Sequence, residues 1–150
     1  MKKLIAASMF VIFAGVAFAA QPITLDEVKD LTFVYYGNSS EPANKDFCKI
    51  IRTEKGNPVL IRKYAFDGIP GGKPVHRPIV SARYEPQIPA LNIVTETRGP
   101  KKVGAHYTVK RATPEVKAAL SKKYGINGDD YDYVLFIIQP TEDIPFLAKK

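Results

Sequence analysis

Tryptophan is missing from this 150-residue chain, and cysteine, histidine and methionine are nearly so, at one, two and two. A lone thiol has no internal partner, so a disulfide-stapled scaffold is excluded. The two histidines, His76 and His106, lie far apart with no cysteine pair beside them and make no zinc signature. The serines stand in NSSE, VSAR and LSKK, so neither G-x-S-x-G nor S-x-x-K occurs. GIPGGKP at 68–74 breaks the phosphate-loop spacing and puts Pro74 where the metal-binding hydroxyl belongs. Asn127, Asp129, Asp130 and Asp132 crowd one turn, yet the sixth and twelfth positions of a calcium loop counted from Asn127 fall on Asp132 and Ile138, where Gly and Glu belong. These patterns predict neither a metal nor a cofactor.

Long apolar runs are also scarce, and the single one stands at the N-terminus. Lys2 and Lys3 precede an uncharged stretch from Leu4 to Phe18, and Ala17-Phe18-Ala19 has the small-x-small pattern that a signal peptidase reads. Residues 1–19 are therefore expected to be a signal peptide of bacterial type, which directs the protein to the periplasm or the exterior. Residues 20–150 then form a single globular domain, with a loose N-terminal leader and an irregular tail after Thr141. A domain of that size buries about 70% of the surface its unfolded chain exposes. The longest later apolar stretch, VLFII at 134–138, is strand-sized, so no transmembrane span is expected after signal cleavage.

Basic charge is what the sequence has in excess. The formal net charge of +7 becomes +5 without Lys2 and Lys3, and the bases come in pairs: Arg62-Lys63, Lys101-Lys102, Lys110-Arg111, Lys122-Lys123 and Lys149-Lys150. Outside the cytoplasm the anions that meet such charge are envelope polymers, lipid head groups and acidic proteins, ahead of nucleic acid. Two of the pairs stand beside aromatics, in RKYAF and HYTVKR. Aromatic faces next to cations stack on rings while the charges hold anions. Arg62, Lys63, Tyr64, Tyr107, Lys110 and Arg111 are the candidate binding residues, and outward side chains from neighbouring strands would merge them into one patch.

Periodicity predicts an α+β domain: a mainly antiparallel sheet of five or six strands with two main helices packed on one face. LTFVYY, VLIRKYAF, PIVSARY, NIVTET, AHYTVKR and YDYVLFIIQ read as strands, separated by Pro/Gly clusters. The continuous apolar stretch in the last of these predicts a strand covered on both faces. Thr24 and Glu27 have capping-box spacing before a short helical turn. Thr113, Pro114, Glu115 and Gly125 mark the start and stop of a helix with Val116, Ala119, Leu120 and Tyr124 on its buried stripe. Ala43, Phe47, Ile50 and Ile51 follow i, i+4, i+7, i+8 and predict a second helix, capped by Ser39 or Ser40 and stopped at Lys55-Gly56. The alternative there is a hairpin in which KIIRT pairs with VLIRK.

The catalytic alternative is a thiol hydrolase, which needs a thiolate beside a histidine that takes its proton. Cys48 and His106 are the candidate pair; His76 sits in a Pro/Gly loop. The flanks NKDFCKI match no thiol-enzyme signature, and a helix would place Cys48 well past the N-terminal turn that lowers a thiol pKa. Cys48 is thus read first as a small apolar packing residue. The leading functional expectation is a non-catalytic extracytoplasmic binding protein for an anionic envelope polymer or an acidic protein, as an inhibitor or immunity protein would be. A subunit of a secretion or surface assembly is the third reading.

Overall fold

Strand alternation decides the architecture. The computed structural model describes residues 21–37, 46–63, 73–96, 105–138 and 143–150. The signal peptide expected at 1–19, the caps at Ser39 and Ser40, Tyr64 and the pair Lys101-Lys102 lie outside the described residues. Eight strands follow in order: β1 Thr32–Tyr35, β2 Phe47–Arg52, β3 Pro58–Lys63, β4 Val75–Glu85, β5 Ala90–Thr95, β6 Ala105–Arg111, β7 Tyr133–Ile137 and β8 Ile144–Ala148. Each runs antiparallel to the next, and β8 returns to pair with β1, closing a barrel in sequence order. Closure leaves no strand edge to attract another chain.

This corrects the expected α+β sheet with two packed helices. Among the described residues only one helix exceeds a single turn: α2, Pro114–Tyr124, against α1, Leu25–Val28. The helix expected over 43–51 is strand β2 where it is described, paired with β3 from Phe47↔Lys63 to Arg52↔Pro58, which is the hairpin alternative. Phe47 and Ile51 face outward while Asp46, Cys48 and Ile50 face inward, so a buried carboxylate breaks the apolar alternation that would have marked a strand. Pairing on both sides, with β1 and β3, outweighs a helical stripe of four residues. The tail expected to be irregular contributes β8, in which Pro145 disguises the strand.

Inward side chains fill the barrel. Phe33, Cys48, Ile50, Leu60, Leu91, Ile93, Tyr107, Val109, Leu135, Ile137 and Phe146 form one buried cluster. Burying each large apolar side chain contributes roughly 1.5–3 kcal/mol before chain entropy is counted. β4 shifts its phase by one residue at a bulge between Ile79 and Ser81, after which Ala82 and Tyr84 face inward beside Ile93 and Leu91.

α2 lies against the outer wall as its end signals predict. Thr113 Oγ1 accepts from the Val116 N–H at 3.3 Å, Pro114 takes the first position, and Gly125 closes the helix at φ 68°. Leu120, Val116 and Tyr124 pack with Ile126 and Tyr131 on the outward Val134, Phe136 and Leu147; Ala119 stays exposed. β7 is therefore covered on both faces, by the barrel interior and by α2, which explains its unbroken apolar run.

Among the described residues no helix is long and apolar enough to cross a membrane. The outward residues of β4 to β6 include His76, Arg83, Asn92, His106 and Lys110.

Candidate functional site at the barrel mouth

The two ends of the barrel differ. At one, the N-terminal segment forms a plug. Thr24 caps α1 by accepting the Glu27 N–H, and Ile23 and Val28 join the core. The Glu27 carboxylate meets Arg111 at 2.8 Å and accepts the Tyr133 hydroxyl at 2.6 Å. Burial works to raise the Glu27 pKa, but the hydrogen bonds from Tyr133 and Arg111, with the Arg111 charge, outweigh it and hold the carboxyl below its usual 4.5. Arg111 also donates to the backbone carbonyls of Gln21 and Pro22. This end is tied shut.

At the other end gather Tyr35, Phe47, Lys63, Val75, Thr95, Ala105, Ile137 and Ile144, the strand ends opposite the plug. Here the interior turns polar. Asp46, immediately before β2, and Arg62, near the end of β3, face inward and are almost wholly buried. Arg62 Nη2 stands 3.8 Å from Asp46 Oδ2, an ion pair without hydrogen-bond geometry. Arg62 also stands 5.8 Å from the centre of the Phe146 ring. Arg77 pairs with Leu60 and Thr95 with Ile79, so both point inward as well. The Thr95 hydroxyl is fully buried and has no hydrogen-bond partner among the described residues.

Burial dominates the chemistry of this polar ring. It raises the Asp46 carboxyl from 3.8 to about 6 against the opposing pull of Arg62. It likewise pushes the Cys48 thiol up to about 12; Arg62, directly across the β2–β3 ladder, draws it down, and Asp46 pushes it further up. A thiol so placed is neither ionised nor reachable. Iodoacetamide at pH 8 should leave Cys48 unlabelled in the folded protein and label it fully in denaturant. Rapid labelling without unfolding would contradict the buried position.

The residues singled out by sequence scatter. Arg62 is in the mouth, and Lys63 beside it faces outward, half-buried. Tyr64 lies outside the described residues. Tyr107 is buried in the barrel, so its ring offers no surface for stacking. Lys110 faces outward, its Nζ 5.8 Å from the Phe136 ring centre, and Arg111 is held in the plug. β3 and β6 are separated by β4 and β5, so the two basic pairs do not merge into one patch. Cys48 points into the barrel and His106 away from it on β6, with the wall between them. The thiol–imidazole pair of the catalytic alternative does not form.

Asp46, Arg77 and Thr95 escaped the sequence reading. Their available signal is phase: each stands two positions along its strand from an inward apolar residue, Cys48, Ile79 and Ile93. Polar residues in an apolar phase mark interior polarity only once the strands are known.

No family model matches this chain, and no curated protein or solved structure matches it. The class is set by architecture alone: an eight-stranded, up-and-down antiparallel β-barrel. Barrels of this size are just wide enough for packed side chains or one small ligand, and ligands enter such folds at the mouth.

Proposed function

We propose that this is a non-catalytic, extracytoplasmic binding protein that receives one anionic group of its partner in the barrel mouth, between Arg62 and Arg77. The observation that carries the reading is the polarity of that interior: Asp46 and Arg62 are buried at this end of the barrel, and Arg77 and Thr95 face inward from β4 and β5. The fully buried Thr95 hydroxyl supplies a further donor at the same end.

This geometry favours an acidic protein over an envelope polymer. A polymer held along its length needs a row of outward cations, whereas the mouth takes one inserted carboxylate. The absence of a thiolate beside an imidazole removes the support for the hydrolase reading.

Sulfate is a suitable probe, titrated calorimetrically into the protein lacking residues 1–19 in a chloride background of constant ionic strength. Arg62→Gln and Arg77→Gln should each weaken sulfate at least about tenfold, with folding verified by circular dichroism. Lys63→Gln and Lys110→Gln, on the outer wall, should change it less than about twofold. Equal losses from the lysine variants would move the site to the outer wall and restore the polymer reading.

A further inference from the structure

We propose that a cleft on the outer wall at the plug end is a second binding site, which takes a small apolar monocarboxylate. The cleft encloses about 330 Å³ where the β4–β5 turn meets the end of β6 and the start of α2, and all of its walls belong to the described residues. That volume lies at the small end of the range for ligand pockets, which suits one short chain or ring. The site is separate from the mouth and stands or falls without it.

Its walls are mainly apolar. Ile88, in the β4–β5 turn, is 58% exposed, a large apolar side chain left in water beside the ring of Pro89. On the facing side Val116, in the first turn of α2, packs against the cluster beneath the helix and also lines the cleft. An apolar group inserted between them removes both side chains from water, which is favourable in proportion to the area covered.

Charge at the rim selects among apolar ligands. Arg111 lines the cleft, but its guanidinium is already taken by Glu27 and by the carbonyls of Gln21 and Pro22. Lys110 is half-buried, stands against the Phe136 ring and forms no ion pair among the described residues. The Thr113 hydroxyl oxygen accepts the Val116 N–H, which leaves its own proton to donate. Glu115 also lines the cleft without an ion pair among the described residues. It is exposed, however, and its carboxylate already sits favourably in the first turn of α2. The half-buried ammonium is the charge that gains most from a partner, and a carboxylate supplies one.

The test is methyl NMR at neutral pH with octanoate as the probe. The Ile88 and Val116 methyl signals should shift along one saturable curve, and acetate, which lacks the apolar chain, should leave them in place. Octylammonium, with the same chain and the opposite charge, should bind at least about fivefold more weakly. Lys110→Gln should remove most of that preference. Ile88→Asp, a change in an exposed turn, should weaken octanoate about tenfold while the circular dichroism stays native. Lys122→Gln, in the last turn of α2, should leave octanoate unchanged within about twofold. Octanoate that fails to saturate, or that shifts methyls at the barrel mouth such as those of Ile144 instead, would overturn the site. So would Ile88→Asp or Lys110→Gln proteins that bind it as the native protein does. Octylammonium binding as tightly as octanoate would assign the cleft to a cation at Glu115 and overturn the carboxylate.

Discussion

Phe146→Ala is expected to lower the unfolding free energy by about 3–5 kcal/mol. Phe146 is fully buried and sits where the last strand joins both its neighbours, opposite Leu135 on β7 and Tyr35 on β1. Its ring lies 5.6 Å from the Tyr35 ring centre and beneath the Arg62 guanidinium. Truncation removes apolar burial and leaves a cavity at the seam that closes the barrel. The surrounding strands are pinned by ladders on both sides and have little room to collapse into it. Urea unfolding with matched slopes measures the loss, and Phe146→Leu should lose well under half as much. A loss below about 1 kcal/mol would mean that β8 does not close against β1 as described.

Arg62→Leu should have an effect of similar size but one that depends on pH. At pH 8 it leaves the Asp46 carboxylate buried without its cation, which is expected to destabilise by about 3–5 kcal/mol. The Asp46 pKa is raised on folding, from 3.8 to about 6. The folded state therefore binds the extra proton between those values, and the native protein loses stability as pH rises through that interval. The ionisation penalty is absent below about pH 4 and complete above about pH 6, amounting to about 1–3 kcal/mol. Without Arg62 the penalty grows and extends to higher pH. The variant should thus come closest to the native protein near pH 4, and Arg62→Leu/Asp46→Asn should recover most of the loss at pH 8. Thermal unfolding across that range checks both; a deficit equal at pH 4 and pH 8 would show that Asp46 is not the group left exposed to the loss.

Much of the local structure was legible. The limits of α2 follow from Thr113, Pro114 and Gly125, whose geometric roles depend on nearest neighbours in sequence. The apolar run at 134–138 implied cover on both faces, which holds through Ile137 but not at the exposed Ile138. The β2 segment was misread because Asp46 occupies an inward position, where a hydrophobicity pattern has no place for a carboxylate. β8 was missed because Pro145 interrupts it. Omitting one strand turns a barrel into a sheet, so two local misreadings changed the fold class.

The candidate site was half visible. Arg62 and Lys63 stood out as a basic pair with an aromatic beside them, yet adjacent residues on a strand point to opposite faces. One of the two cations had to enter the barrel, and nothing local says which. Lys110 and Arg111 divide in the same way, with Arg111 drawn to Glu27 across 84 positions of chain.

By itself the amino-acid order determined the helix ends, most strand segments, the cationic excess and the isolation of the single thiol. These depend on groups within a few residues of one another. Only the tertiary structure decided that the strands close on themselves, that Asp46, Arg62, Arg77 and Thr95 share one interior, and that Cys48 and His106 lie on opposite sides of a wall. Register between distant strands settles which side chains meet, and a shift of one residue would turn each of them to the other face.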